Sequence, residues 1–113
     1  MIAAQYSLTK QGWLVCLPQT EHSPFDIVVY KDGIFKRIQV KYKKPHNGCL
    51  QYSHCEKYIG EVDIICFYNP ENEECYFVPL EGNQKCVTIR VTPSRNNQSV
   101  GVKLAEDYLL MPL

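Results

Sequence analysis

The sequence lacks any apolar run near the ~20 residues that a membrane-spanning helix needs. Residues 1–13, MIAAQYSLTKQGW, also lack the basic end and the continuous apolar segment of a signal peptide. No low-complexity tract, internal repeat or linker interrupts the 113 residues, a length that buries roughly two thirds of its unfolded surface in one core. We therefore expect a single domain over residues 1–113, located inside the cell and without a membrane partner.

Paired cysteine motifs are missing as well. The six cysteines include no C-x-x-C pair, and His54-Cys55 has no matching cluster elsewhere. Zinc coordination is therefore the weaker interpretation. Cys16 and Cys66 lie inside apolar runs, where a reduced cysteine packs as a small hydrophobic residue. We expect free thiols, most of them buried.

The net charge is zero, but the charges are unevenly distributed. Residues 56–74 are rich in acid, whereas residues 31–46 hold one acid, Asp32, and a set of basic side chains. These are Lys31, Lys36, Arg37, Lys41, Lys43 and Lys44. Such a segment can bind a polyanion although the whole protein is neutral. A solvated strand face, or an edge strand protected by lysines, explains the same charges, and by charge alone this second interpretation is favoured.

The order of apolar runs and turn residues predicts an α/β domain with a mixed sheet. The predicted helices are an N-terminal one over 2–11 and a short C-terminal one over 102–110. The predicted strands are 13–18 (a buried strand), 25–31, 34–43, 62–69, 75–80 and 86–91. The sequence KPHNGCLQYS after the third strand is rich in turn residues, and 52–60 suits a short helix or an irregular segment.

The pair Asp32-Gly33 predicts a two-residue hairpin turn, which determines how the flanking strands pair. Counting back from this turn puts Asp26 opposite Gln39, with Cβ atoms ~5 Å apart. Lys41 follows on the same face, about 6.5 to 7 Å further along. The alternate apolar residues should point to the other face: Phe25, Ile27, Val29, Ile38 and Val40.

Asp26, Gln39 and Lys41 together have the chemistry needed for metal-assisted phosphodiester cleavage. The Asp26 carboxylate, the Gln39 side-chain carbonyl and the Val40 backbone carbonyl are oxygen ligands of the type that Mg²⁺ prefers. Lys41 could orient the attacking water or stabilise charge on the phosphate. The candidate DNA-contacting residues are Ser23, Lys31, Arg37, Lys43 and Lys44. A surface salt bridge between Asp26 and Lys41 on a solvated face explains the charges at least as well.

Pro24-Phe25-Asp26, followed after twelve residues by Gln39-Val40-Lys41, resembles the PD-(D/E)XK nuclease superfamily, which has the restriction-endonuclease-like fold. The Q-x-K form is similar to a subset that includes cyanobacterial group I intron homing endonucleases. The likeness continues through YIGEVDIICFY and YFVPL. The resemblance implies a bacterial or phage-encoded, cytoplasmic endonuclease that cleaves double-stranded DNA with Mg²⁺, or with Mn²⁺. It also implies that Asp26 binds metal, Gln39 replaces the usual acid and Lys41 is the catalytic lysine.

One family feature has no counterpart at its expected place. The family commonly has a metal-binding glutamate on the first helix, which an alignment of Gly12 and Asp26 puts at about Met1. The first acid in this chain is Glu21, in a loop. Either the natural protein continues upstream of Met1, or the site has one carboxylate fewer.

Three functions follow from these observations. The first is a Mg²⁺-dependent DNA endonuclease, homing- or restriction-like, which needs two active sites to cut both strands and is therefore expected as a homodimer or homotetramer. The second is a catalytically impaired, nucleic-acid-binding relative of the same fold. The third is a protein-interaction module whose basic segment serves solubility, without salt-dependent affinity for DNA.

Overall fold

The computed structural model describes residues 1–82, 84–92 and 103–112. Within these residues the chain forms one α-helix, seven strands and two short 3₁₀ helices. The α-helix is α1 (Ile2–Lys10), and the 3₁₀ helices are Cys55–Tyr58 and Ala105–Tyr108. The strands are β1 (Leu14–Cys16), β2 (Ile27–Lys31), β3 (Ile34–Tyr42), β4 (Cys49–Tyr52), β5 (Ile64–Asn69), β6 (Glu74–Pro79) and β7 (Val87–Arg90).

Five of these strands form the main sheet, in the order β1-β2-β3-β5-β6. The central neighbours β3 and β5 are parallel, whereas β1-β2, β2-β3 and β5-β6 are antiparallel. The predicted mixed sheet is therefore confirmed. Strands β4 and β7 pair antiparallel in a separate two-stranded sheet.

Helix α1 contacts the sheet through a narrow apolar stripe. Ala4 and Leu8 are buried because residues four apart lie on the same side of a helix. Ile2 and Tyr6 lie two residues from Ala4 and Leu8 in sequence. They are 83% and 65% exposed, because residues two apart in a helix lie on different sides of it. Gly12, with φ of +89°, ends the helix and directs Trp13 into the core, where it is 4% exposed.

Each face of the main sheet has its own apolar cluster. The α1-side cluster, on the face that α1 covers, consists of Ala4, Leu8, Trp13, Ile27, Val29, Ile38, Ile64, Cys66, Cys75, Phe77 and Met111. The second-sheet cluster, on the face that β4 and β7 cover, consists of Leu50, Tyr52, Cys55, Val62, Ile65, Phe67, Tyr76, Val78, Val87, Ile89 and Ala105. Gln39 and Lys41 pair with Ile65 and Phe67, which puts both polar side chains on the second-sheet face.

The N-terminal half differs from the sequence-based expectations at two places. Strand β1 is not buried: Leu14 is 62% exposed and Cys16 is exposed, because β1 is an edge strand that the second sheet does not cover. The segment predicted only as turn-rich contains β4, whose Leu50 and Tyr52 alternate with exposed residues. The six cysteines are free thiols, as expected, but three rather than most of them are buried: Cys55, Cys66 and Cys75.

The C-terminal segment is also less helical than expected. The predicted helix 102–110 is represented by the 3₁₀ helix Ala105–Tyr108, and residue 102 lies outside the described residues. The segment 52–60, for which a short helix or an irregular segment was expected, contains the 3₁₀ helix Cys55–Tyr58. Among the helices in the described ranges, none has the length and apolar character to span a membrane.

Candidate active site

The β2-β3 hairpin has the predicted register. Its ladder runs from Lys31 opposite Ile34 to Ile27 opposite Ile38. Asp32 and Gly33 have φ of 50° and 85°, and two positive φ values are the mark of a type I′ turn. Beyond the last ladder pair, the Asp26 N–H still donates to the Ile38 carbonyl at 2.9 Å, which brings Asp26 alongside Gln39.

The Asp26 carboxylate is held by β3 through one of its two oxygens. Oδ2 accepts hydrogen bonds from Gln39 Nε2 and from the Val40 N–H, each at 2.9 Å. The other oxygen, Oδ1, accepts no hydrogen bond from the described residues. The carboxylate is therefore oriented by two donors and keeps an oxygen for a ligand.

The backbone of Val40 contributes a third oxygen. In a strand, the N–H and C=O of one residue leave the same edge. The Val40 N–H points to Asp26, so the Val40 carbonyl lies on the same edge of β3. Val40 lies beyond the pairing with β2, because Ile27 is the first residue of β2. With the Gln39 Oε1, the site offers a carboxylate, an amide and a backbone carbonyl, which suits a hard cation such as Mg²⁺.

This set contains a single carboxylate. Over residues 1–82, 84–92 and 103–112, no group of three or more His, Cys, Asp and Glu side chains could hold a metal. However, a cavity of about 170 Å³ opens beside Asp26, and Glu21 lines it together with Thr20 and Ser23. The first acid of the chain thus lines the same cavity as Asp26, from a loop rather than from α1.

Residues 23–25 do not continue the strand alternation. The Ser23 hydroxyl donates to the Phe25 carbonyl at 2.8 Å and accepts from the Phe25 N–H at 3.3 Å. This turn directs Phe25 onto the second-sheet cluster, not onto the α1 side as expected from alternation. Ser23, a predicted DNA contact, thus shapes the loop before Asp26.

Lys41 lies on the same face as Gln39, between two tyrosines. Its Nζ donates to Tyr58 Oη at 2.9 Å and lies 4.2 Å from the ring centroid of Tyr52. No ion pair joins it to Asp26 among the described residues, which argues against the surface salt bridge as the reason for these charges. Lys43 extends the same row, with Nζ 5.7 Å from the Tyr52 ring, and Lys44 is exposed.

Two other predicted DNA contacts have structural partners. Arg37 Nη2 pairs with Asp63 Oδ1 at 3.0 Å, and its Nε donates to Asp63 Oδ2 at 3.1 Å. Lys31 Nζ donates to the Gln11 carbonyl at 3.0 Å, at the end of α1. These contacts tie β3 to β5 and β2 to α1, and a DNA contact by either residue stays a prediction.

The Arg37–Asp63 pair predicts a specific acid sensitivity. Hydrogen bonding to Arg37 outweighs burial and lowers the pKa of Asp63 below its ordinary value of 3.8. Since the folded pKa is the lower one, the pair stabilises the fold above the unfolded pKa, and this contribution is lost as the pH falls through the folded pKa. We expect Asp63→Asn to lower the free energy of unfolding at neutral pH and to flatten its decline below about pH 4.

Urea unfolding at neutral pH and near pH 3 measures this effect. The control is Asp107→Asn, the same change at an exposed aspartate, which should leave the acid decline unchanged. An Asp63→Asn protein that loses as much stability in acid as the unmodified chain would contradict the assignment.

The sequence patterns did not identify Lys57, Tyr52 or Tyr58 as site residues. Tyr52 is 7% exposed, and its ring and that of Tyr58 surround the Lys41 ammonium. The missed signal was the alternation of Leu50 and Tyr52 with Gln51, which predicts a strand. Recognising that strand would still not have shown which face of β3 it covers.

The helix, the mixed sheet and the hairpin that presents Asp26, Gln39 and Lys41 form a restriction-endonuclease-like domain. This agrees with solved structures that share the fold. A bacterial homing endonuclease, I-Ssp6803I, is 19% identical with a TM-score of 0.62, covering 95% of this chain and 81% of that one. The Holliday junction resolvase Hjc of Archaeoglobus fulgidus is 20% identical with a TM-score of 0.54, covering 95% and 98%.

The chain belongs to the PD-(D/E)XK endonuclease family, whose sequence model matches residues 1–111. The resemblance inferred from the sequence motifs is thereby confirmed. No protein with a curated function matches the sequence at significant similarity.

Proposed function

We propose that this protein is a Mg²⁺-dependent endonuclease that hydrolyses phosphodiester bonds of double-stranded DNA. The observation that carries the proposal is the contact between Asp26 Oδ2 and Gln39 Nε2 at the end of the hairpin. It brings a carboxylate, an amide and the Val40 backbone to one point, with Lys41 next on the same face. Membership of an endonuclease family supports the reaction class.

Asp26, Gln39 and the Val40 carbonyl are the residues that would hold the metal. A bound Mg²⁺ would lower the pKa of a water molecule and neutralise charge that develops on the phosphate. Gln39 keeps Asp26 oriented through its amide N–H and has its Oε1 left for the ion. Since Gln39 is neutral, the site has less negative charge than one with two acids, and Glu21 at the adjoining cavity could supply the difference.

Lys41 supplies a positive charge next to the phosphate that is cleaved. Its ammonium follows Gln39 by two residues on β3, about 6.5 to 7 Å further along. Tyr58 and the Tyr52 ring restrict where this ammonium can be, so the charge is in position before DNA binds. Such an arrangement stabilises the negative charge of the transition state without reorganisation at the moment of reaction.

Cleavage of both strands of a duplex requires two such sites, so we propose a homodimer or homotetramer. The similarity to a homing endonuclease supports duplex DNA as the substrate. The similarity to a Holliday junction resolvase supports branched DNA as a second candidate, which the same assembly of two sites would suit.

Cleavage of supercoiled plasmid tests the proposal. We expect nicked and linear products with Mg²⁺ or Mn²⁺, and none when EDTA removes the ion, because the single carboxylate of Asp26 cannot activate water alone. A four-way junction of the same sequence content compares branched with duplex substrate. Salt-dependent DNA binding without cleavage under any of these conditions would replace the proposal with the catalytically impaired, nucleic-acid-binding relative.

A further inference from the structure

Three lysines from two parts of the chain surround one tyrosine ring beside the candidate active site. The Nζ atoms of Lys41, Lys43 and Lys57 lie 4.2, 5.7 and 5.8 Å from the ring centroid of Tyr52. Lys41 and Lys57 also lie 5.1 and 5.2 Å from the ring centroid of Tyr58. We call these five residues the lysine–tyrosine cluster.

Strand β3 supplies Lys41, the residue just after its end supplies Lys43, and the 3₁₀ helix Cys55–Tyr58 supplies Lys57. The two elements meet because Tyr52 and Cys55 belong to the second-sheet cluster, which packs on the face of Lys41. Lys57 therefore joins the row of Lys41 and Lys43 through tertiary packing rather than through the strand.

The cluster concentrates positive charge without a matching acid. In the part of the chain that the structure describes, none of its lysines forms an ion pair. Mutual repulsion of three ammonium groups opposes this arrangement, and the negative faces of the two rings offset part of it. Burial acts to raise the pKa of Tyr52, but hydrogen bonding with Lys57, Tyr58 and Lys41 and the charge of Lys41 lower this pKa below its ordinary value. An anion at this place would meet three charged donors already gathered.

The position of the cluster indicates which anion it takes. Lys41 belongs both to the cluster and to the candidate active site, so the anion would lie next to the scissile phosphate. A nucleic-acid strand carries one phosphate per nucleotide, which provides a regular row of anions on both sides of any bond that is cut. Lys43 lies two residues beyond Lys41, in the direction away from Gln39.

We propose that the lysine–tyrosine cluster binds backbone phosphates of the DNA strand that lies across the active site, with Lys57 as a phosphate contact supplied by the second layer of the fold. This inference rests on the proposed function, because it requires DNA at Asp26 and Lys41. It adds Lys57, which lies outside the hairpin and its motif, to the residues that hold the substrate.

Binding of a fluorescent DNA duplex over a salt series tests the assignment, with Ca²⁺ replacing Mg²⁺ to prevent cutting. Loss of one phosphate contact should reduce the slope of log K against log salt by about 0.9. We expect Lys57→Gln to show this reduction and a several-fold weaker affinity at low salt. Lys57 is exposed, so the variant should fold normally.

Lys10→Gln is the matched control. Lys10 also lies over a tyrosine ring, 5.0 Å from the centroid of Tyr6, but on α1 at the other face of the sheet. We expect Lys10→Gln to keep the slope of log K against log salt that the unmodified protein has. Equal slopes for Lys57→Gln and the unmodified protein would overturn the assignment while leaving the proposed function intact.

Two further outcomes separate the remaining explanations. Absence of salt-dependent DNA binding in the unmodified protein would overturn both the proposed function and the assignment of the cluster. The last outcome is that inorganic phosphate binds the cluster at millimolar concentration while duplex affinity does not depend on Lys57. This result would assign the cluster to a free anion and overturn its role in DNA binding.

Discussion

Asp26→Asn should reduce plasmid cleavage by about 10³-fold, the upper range for removing one group that stabilises developing charge. Asparagine has the shape of aspartate, and its side-chain oxygen can still accept the hydrogen bonds of Gln39 and the Val40 N–H. The loop and the hairpin should therefore keep their structure. What the variant loses is the one negative charge in direct contact with Gln39, and with it the affinity for the metal.

Three measurements on Asp26→Asn make the prediction specific. Cleavage of supercoiled plasmid reports activity, calorimetric titration with Mn²⁺ or Ca²⁺ reports metal binding, and fluorescence anisotropy reports DNA affinity. We expect the first two to be lost and the third to be retained, since Asp26 repels phosphate in the absence of metal. Asp32→Asn is the control, because it makes the same change in the exposed turn of the same hairpin. Cleavage at the unmodified rate by Asp26→Asn would contradict the site.

Phe67→Ala should lower the free energy of unfolding by about 3–5 kcal/mol, the usual effect of truncating a fully buried phenylalanine. This is a large part of the roughly 5–15 kcal/mol that stabilises a domain. Phe67 is 0% exposed and pairs with Lys41 between the parallel strands β3 and β5. It also belongs to the second-sheet cluster with Tyr52. The cavity should therefore disturb the packing beneath Lys41 as well as the stability.

Phe77→Ala separates these two effects. Phe77 is equally buried, but it belongs to the α1-side cluster on the other face of the sheet. Urea unfolding should show similar losses for the two variants, whereas DNA affinity below the unfolding temperature should fall only for Phe67→Ala. A loss of less than about 1 kcal/mol for Phe67→Ala, or equal DNA affinities for both variants, would contradict this account.

The hairpin could be predicted from the sequence because its determinants are local. Asp32-Gly33 favours a two-residue turn with positive φ, and such a turn leaves a single register for the strands that flank it. Alternation along the strands then assigns Ile27, Val29 and Ile38 to one face and Gln39 and Lys41 to the other. Phe25 escaped this rule because the Ser23 hydroxyl forms a turn that ends the alternation.

The surroundings of Lys41 could not be predicted in the same way. Leu50 and Tyr52 show the alternation of a strand, but nothing in their order tells which face of the main sheet they cover. Likewise, the edge position of β1 depends on strand order, so an apolar run that looked buried leaves Leu14 exposed. Packing between distant segments decided both cases.

Local chemistry thus determines the turn, the register of Asp26 with Gln39, and the family motif that ends at Lys41. Those features depend on residues close in sequence, whose backbone preferences act regardless of the rest of the chain. The partners of Lys41, namely Tyr52, Tyr58 and the ammonium of Lys57, were decided by tertiary structure alone. Burial of apolar area between the two sheets brings them together, and this driving force is non-directional, so no short segment encodes its result.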